Sequence, residues 1–327
     1  MATTTDPLER LESALRAGAR APRRRMLVIV NPYASTVSDR LKHLVVYALR
    51  GSYHVEAVET ERRDHATVLC RQAATEGFDV VVAFGGDGTV NEAANGLAGS
   101  ATALTCLPGG RANVYCRILG IPTDVVDATE HLLRMADEWQ PRRVDLGYAG
   151  ERKFLFSAGV GLDASVVERV DAHPRLKQRF GEWYYATTAV RTFNRRYLRH
   201  PPRLEAVLGE ERVAGMTVLV QNATPYTFFG ERPVQLSDGA TLESGDLAGV
   251  VLERANPIDM PTLIWRALSK RAQVARHRRV HPFREVRELS VRSLDERPLP
   301  LQVDGDYIGE IENASFGAVP RGLTVVA

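Results

Sequence analysis

Residues Val81–Leu97 read VVAFGGDGTVNEAANGL, and this stretch decides the fold. Val80–Phe84 is a short β-branched apolar run of the kind that forms a buried parallel strand. It empties into Gly85-Gly86-Asp87-Gly88-Thr89, and a helical pattern follows. Glycines let the backbone approach a polyanion closely, while the N–H groups opening the next helix aim the positive end of its dipole outward. The segment therefore reads as a phosphate site. Asp87 is the exception within it, because a carboxylate repels phosphates unless a divalent cation, or a hydroxyl about to lose its proton, lies between. Further on, Val90, Ala93, Ala94 and Leu97 recur at helical spacing. Asn91, Glu92 and Asn95 share that helix, where capping or solvent contact explains them as well as chemistry does, and the pattern assigns them no direct role. The plainer alternative for the whole stretch is a strand–turn–helix with glycines for the bend.

Composition bounds the remainder. A chain of 327 residues exceeds the usual single-domain size, so two cores are expected. With 44% hydrophobic and 25% charged residues it is ordinary globular material, and a net charge of +2 gives no reason to expect nucleic acid. Cys70, Cys106 and Cys116 are odd in number and lack CxxC spacing, which argues against a disulfide framework or a zinc site and for a reducing compartment. No apolar run approaches the roughly 18 residues of a spanning helix. Residues 1–25 lack the apolar core of a secretory signal and are expected to be a loose extension, with an amphipathic turn or two at Leu8, Leu11 and Leu15.

From Met26 to about Asp145, strand-like runs alternate with helical stretches, the pattern of a parallel α/β sheet. Strands are expected at Met26–Val30, Tyr53–Val58, Val80–Phe84 and Ala103–Leu107, with helices at Asp39–Arg50, Asp64–Glu76, Thr89–Leu97 and Thr123–Ala136. Ligands of such sheets bind beyond the carboxyl ends of the strands. Three candidate phosphate loops fall there: Asn31–Ser35, Gly85–Thr89 and Pro108–Asn113. The second half changes character, with strand-like runs at Lys153–Val160, Leu204–Leu208, Met216–Gln221, Leu247–Leu252, Glu288–Val291 and Leu299–Val303 and fewer helices. An antiparallel β-sandwich is the natural architecture for it.

Several of these segments together resemble the catalytic family of diacylglycerol kinases, which includes sphingosine and ceramide kinases and bacterial lipid kinases. The GGDGT stretch is similar to the family signature. MLVIVNPYAS (26–35) is similar to its first strand and NPxSG loop, LPGGRANVYCRILGIP (107–122) to its PxGTxND loop, FLFSAGVGLDASVV (154–167) to its sGxGxDA element, and VDGD (303–306) to its late DGE. GGDGT alone also suits NAD kinases and 6-phosphofructokinases; the NAD kinases' second glycine-rich motif is not visible. The resemblance implies an ATP-dependent lipid kinase with the nucleotide in the cleft between an α/β domain (26–145) and a β-sandwich domain (146–312). Residues 313–327 are expected to carry a last strand, near Ala314–Val319, back to the first domain. A catalytically silent nucleotide- or lipid-binding protein is the alternative of a different class.

The site residues follow loop by loop. Asn31 and Ser35 can bond nucleotide or neighbouring backbone, or simply build an Asn-Pro turn. Thr36 stands where the family has a glycine. The resemblance places an ATP-contacting threonine at Thr60, which as a bare residue is equally a helix cap. Gly85, Gly86, Asp87, Gly88, Thr89, Gly109, Gly110, Arg111 and Asn113 are assigned to ATP. Arg111 replaces the family's usual threonine and Val114 an aspartate; a guanidinium there can grip phosphate bidentately or turn to solvent. Asp306 stands at the position of the family's glutamate and is the candidate base for the acceptor hydroxyl, with Asp304 orienting the site or binding metal and Gly305 permitting the bend. Asp-Gly-Asp between apolar runs is also an ordinary hairpin turn. Mg²⁺ is expected with ATP, Asp87 being the first candidate ligand. The family's second magnesium segment, DGxLD, corresponds to Glu243–Ala248, where Ser244 and Ala248 replace carboxylates and only Glu243 and Asp246 remain to bind in a shifted geometry.

A lipid acceptor requires approach to a membrane. Between Arg169 and Arg203 there are nine Lys or Arg against Asp171 and Glu182, interleaved with Phe180, Trp183, Tyr184, Tyr185, Phe193 and Tyr197. Between Trp265 and Arg287 there are eight more against Glu285. Basic residues with interfacial aromatics suit anionic headgroups, although solvated helix faces show the same composition. The expected setting is cytoplasmic, at the inner face of the membrane.

Overall fold

The computed structural model describes residues 23–34, 38–173, 176, 180–198, 201–269 and 272–327. The first half alternates β1 (Arg25–Val30), α1 (Asp39–Leu49), β2 (His54–Glu59), α2 (His65–Thr75), β3 (Val80–Gly85), α3 (Asp87–Leu97) and β4 (Ala103–Pro108). Its four strands run parallel in the order β2-β1-β3-β4. Both β3 and β4 are buried along their whole length, as continuous apolar runs inside such a sheet must be. Helix starts follow side-chain chemistry. The Ser38 hydroxyl accepts from Leu41 N (3.3 Å) at α1. A similar cap shifts the helix expected from Thr123: Asp124 accepts from Val126 N (2.8 Å) and Asp127 N (3.2 Å), so α5 covers Val125–Met135. Such caps are each worth about 1 kcal/mol. A helix the sequence did not predict, α4 (Val114–Leu119), directly follows the third loop.

The second half continues with β5 (Arg142–Ala149), β6 (Arg152–Phe154), β7 (Ser157–Gly161), α6 (Leu162–Asp171) and α7 (Glu182–Thr192), which runs into a π-helical turn at Phe193–Tyr197. Then come β8 (Leu204–Leu208), β9 (Glu211–Gly215), β10 (Thr217–Gln221), the hairpin β11 (Thr227–Phe229) and β12 (Arg232–Val234), β13 (Leu247–Leu252) and α8 (Asp259–Leu268). Finally β14 (Val280–Val286), β15 (Glu288–Ser293), β16 (Leu299–Val303), β17 (Asp306–Ile311) and β18 (Asn313–Val325) close the fold. The single run expected at 153–160 is two strands, because the N–H groups of Leu155 and Phe156 leave the ladder to donate to Asp304.

An antiparallel sheet, β14-β13-β10-β7-β16-β17, faces the far end of the first sheet, which continues beyond β4 as β18-β15-β8-β9. The two layers enclose Phe154, Val160, Val218, Val251, Val291, Leu301 and Phe316. The stretch 314–319 pairs with β15 and β5, and it is Val325, later in the same strand, that pairs in parallel with Leu104 of β4. Leu155 and Phe156 in turn enter the core of the first half beside Val28 and Leu104. Hydrogen bonds and side chains thus cross between the halves, and loops from both meet at the carboxyl ends of β1, β3 and β4.

Candidate active site

The glycine loops are packed backbone on backbone. Gly109 N donates to Gly85 O at 2.8 Å, and a Cβ on Gly109 would lie 2.8 Å from Gly85 Cα. A Cβ on Gly110 would lie 2.9 Å from Gly86 Cα, so side chains at these positions would pry the second and third loops apart. Asn31 joins the first loop to the second: its Nδ2 donates to Thr89 Oγ1 at 3.1 Å, and its N–H to Phe84 O at 3.0 Å. Buried Thr60 is adjacent, its N–H donating to Val30 O at 2.9 Å. Ser35 and Thr36 lie outside the described residues. Asn113 closes its own loop, accepting from Gly110 N (2.9 Å) and donating to Gly110 O (2.8 Å), with its backbone left-handed at φ 44°.

Asp87 lies in the first turn of α3, two residues earlier than the predicted helix start. Its Oδ1 accepts from Tyr115 N at 3.0 Å, so the carboxylate also anchors the start of α4. Burial pushes its pKa up to about 6; the backbone bonds from Tyr115 and Val114 pull it down, and the charge of Asp306 raises it. That last effect reports proximity between the two carboxylates. Geometry agrees, because a Cβ on Gly88 would stand 3.2 Å from Asp306 Cγ and well inside contact with Oδ2. The carboxylate of Asp306, from the second half of the chain, lies against the glycine loop of the first.

Asp304 and Gly305 form the two-residue turn joining β16 to β17, with φ 48° and 83°, while Val303 pairs with Asp306. The segment is therefore a hairpin turn in geometry, and this turn delivers Asp306 to Gly88. Asp304 itself is 3% exposed and accepts four hydrogen bonds: Leu155 N (2.7 Å), Phe156 N (3.0 Å), Ser157 N (3.0 Å) and Asn91 Nδ2 (2.7 Å). Burial pushes its pKa up to about 6 against the pull of those donors. With these partners, it orients the turn.

Asn91, Glu92 and Asn95, which the sequence left without a role, fasten α3 to its surroundings. Asn91 Nδ2 donates to Lys153 O (2.9 Å) as well as to Asp304, and its Oδ1 accepts from Arg152 Nε (2.9 Å). Asn95 exchanges bonds with the Lys153 backbone at 3.0 Å. Glu92 accepts from Asp64 N (2.9 Å) and Ala66 N (3.2 Å) at the start of α2. A polar residue at a helix position that periodicity assigns to the buried face was the available signal, and Asn91 is 2% exposed.

Arg111 is exposed and extends to the start of α7, where its guanidinium fills the space a Cβ would need at Gly181. Arg117 of α4 spans the same cleft. It lies 4.5 Å over the Phe228 ring and bonds Gly230 O and Glu231 Oε1, each at 3.0 Å, so the β11–β12 hairpin leans on the first half. Glu243 is ion-paired with Arg142 at 2.8 Å, and Ser244 Oγ bonds the backbone carbonyl of Asp246. Among the described residues no three His, Cys, Asp or Glu side chains converge as a metal cluster, either here or elsewhere.

The aromatic residues of the first basic segment divide. Phe193 and Tyr197 belong to a core cluster with Val166, Val170 and Met216, because the π-helical turn directs them inward. Phe180 and Trp183 are 51% and 72% exposed. In the second segment Trp265 is exposed, whereas Arg278 pairs with Asp259 and Arg284 with Asp238. Arg175, Lys177, Arg179, Arg199, Lys270 and Arg271 lie outside the described residues. No helix among the described residues is long and apolar enough to cross a membrane.

Comparison with known proteins agrees with the motif reading. Residues 25–149, which contain every site residue of the first three loops, match the family described as the diacylglycerol kinase catalytic domain. A diacylglycerol kinase of Staphylococcus saprophyticus is 26% identical over 298 residues, covering 88% of this chain and 91% of the relative. A diacylglycerol kinase of Staphylococcus aureus (strain bovine RF122 / ET3-1) is 26% identical over 314 residues, covering 93% of each. A crystal structure from Bacillus anthracis str. Sterne, described as that of a candidate diacylglycerol kinase, superposes with a TM-score of 0.72 at 20% identity. It covers 94% of this chain and 98% of its own, which shows the shared fold.

Proposed function

We propose that this chain, whose residues 25–149 match the family described as the diacylglycerol kinase catalytic domain, is a lipid kinase transferring the γ-phosphoryl group of ATP to a lipid hydroxyl, with diacylglycerol as acceptor and phosphatidic acid as product. The observation that supports it most is the meeting of Asp306 with Gly88 beside Asp87. Backbone N–H groups opening α3 would bind the phosphates, with the Gly109–Asn113 loop packed alongside, its Gly109 and Gly110 N–H groups being held by Gly85 O and Asn113 Oδ1. The acceptor oxygen attacks the γ-phosphorus, the bond from that phosphorus to the β,γ-bridging oxygen breaks, and Asp306 takes the hydroxyl proton.

Mg²⁺ fits this arrangement. Two carboxylates close enough to raise each other's cost of ionisation need a compensating cation, and magnesium is commonly held by one or two carboxylates together with phosphates and water. Asp87 would hold it or its water shell. Once bound, the ion neutralises charge on the phosphates. Glu243 is ion-paired with Arg142 at the surface, and no second metal at Glu243 and Asp246 is proposed.

Exposed Phe180, Trp183 and Trp265 beside basic segments suit contact with an anionic bilayer, from which the acceptor would be taken. The test is transfer from labelled ATP to a total lipid extract, with the labelled product identified. Phosphatidic acid is expected. Transfer to NAD alone, or to no acceptor, would replace this reading with an NAD kinase or a silent binding protein.

A further inference from the structure

The FLFSAGVGLDASVV segment contributes Asp163, a half-buried acid that the phosphoryl-transfer scheme leaves unused. It lies in the first turn of α6, over Gly159, where a Cβ would come within 2.6 Å of Asp163 Oδ2 and 2.9 Å of Gln302 Nε2. Only a glycine leaves room for the two side chains to meet there. Tyr226 OH donates to Asp163 Oδ2 at 2.6 Å, and Gln302 Nε2 donates to Tyr226 OH at 2.9 Å. Gln302 Oε1 then accepts from Gly305 N at 2.9 Å. Gly305 is the middle of the Asp304-Gly305-Asp306 turn. A chain of three hydrogen bonds thus runs from the acid to the turn that carries the candidate base.

We propose that Asp163 acts through Tyr226 and Gln302 as a positioning residue for Asp306, an inference that rests on Asp306 being the proton acceptor. The polarity of the chain supports it. An ionised carboxylate only accepts, so Tyr226 must donate to it and receive from the amide NH2 of Gln302, which leaves the amide oxygen facing Gly305 N–H. Were Asp163 replaced by a side chain with no acceptor, as in Asp163→Leu, Tyr226 would lose its acceptor and would have to donate towards Gln302. The amide would then turn, and its NH2 would confront the Gly305 N–H, two donors without an acceptor. Gln302 and Tyr226 are 1% and 8% exposed, so solvent has little access to relieve the mismatch. Burial raises the pKa of Asp163, and the bonds from Tyr226 and Gln302 lower it, so the partners that read its charge also help to keep it charged.

The experiment compares steady-state kinetics of the full chain with Asp163→Leu, Tyr226→Phe and Asp306→Asn, singly and combined, alongside thermal unfolding. Tyr226→Phe and Asp163→Leu should each lower kcat by about 10- to 100-fold, as expected for a misplaced catalytic group, with KM for ATP and for lipid unchanged. Combining the two should cost no more than the worse single change. Adding either to Asp306→Asn should cause no further loss, because both act only through that carboxylate. A raised lipid KM at unchanged kcat in Asp163→Leu would overturn the proposal in favour of direct acceptor contact. A lowered unfolding temperature with unchanged kcat per folded molecule would overturn it in favour of a purely structural network. If Asp306→Asn retains wild-type kcat, the base assignment itself has failed; if Asp306→Asn loses it while Tyr226→Phe does not, only the positioning role has.

Discussion

Gly88→Ala should separate activity from stability. Gly88 is the second residue of α3 and has an ordinary helical backbone, so alanine is compatible there and relieves the helix of a glycine worth about 1 kcal/mol. The added Cβ, however, would stand 3.2 Å from Asp306 Cγ, 3.4 Å from Oδ1 and inside contact with Oδ2. The obstructing atoms are the far end of a side chain, which can swing aside at little energetic cost. Restoring ordinary contact requires the carboxylate to retreat by roughly 1 Å, and a displacement of that size from the reacting geometry costs on the order of 10²-fold in rate. The variant should therefore unfold at the same temperature as wild type or slightly higher, bind nucleotide, and transfer phosphate to lipid about 10²-fold more slowly. In an Asp306→Asn background, where there is no base to displace, the same substitution should have little further effect. Undiminished turnover in Gly88→Ala would refute the close approach of Asp306 to the loop.

Further outcomes follow from the same geometry. Asp87→Ala should abolish transfer while leaving the chain folded, as judged by lipid transfer and circular dichroism. Because burial sets the native pKa of Asp87 near 6, above its ordinary 3.8, the free protein takes up that proton as pH falls through about 6; affinity for magnesium nucleotide, measured calorimetrically, should decline over the same window. Asp304→Ala strands three buried backbone N–H groups and the Asn91 amide, each worth about 1–3 kcal/mol unless water enters, and should lower stability by about 3–5 kcal/mol in urea titration. Binding to acidic liposomes should weaken steeply as salt rises past physiological strength, where the Debye length is about 8 Å, and equal sedimentation with neutral liposomes would leave the basic segments as solvated faces.

What could be read from the sequence was local. The strands β1, β3 and β4 announced themselves as unbroken apolar runs, and the glycine loops by composition, because both signals lie within a few residues. Helix α4 was missed because VYCRIL is short and β-branched or aromatic in part, and because Asp87, which receives Tyr115 N–H at its start, stands 28 positions away. Strand β5 was missed for a related reason: its local partner β6 is only three residues long, and most of its pairing is with β18 near the other end of the chain. The partners of Asn91, at Arg152, Lys153 and Asp304, are 61 to 213 positions distant, so no window around GGDGT reveals that the asparagine ties the two halves together. In the second half, aromatic residues that composition grouped as interfacial were divided by the turn at Phe193–Tyr197 into core and surface.

The central claim, that Asp306 accepts the proton of a lipid hydroxyl during transfer from ATP, is tested most directly by measuring labelled phosphate transfer to diacylglycerol in mixed vesicles with Asp306→Asn, alongside nucleotide affinity. A loss of about 10²- to 10⁴-fold in turnover, with nucleotide binding essentially unchanged, is the predicted result. Transfer at the wild-type rate would contradict the account and return the search for the base to Asp87 and Asp304.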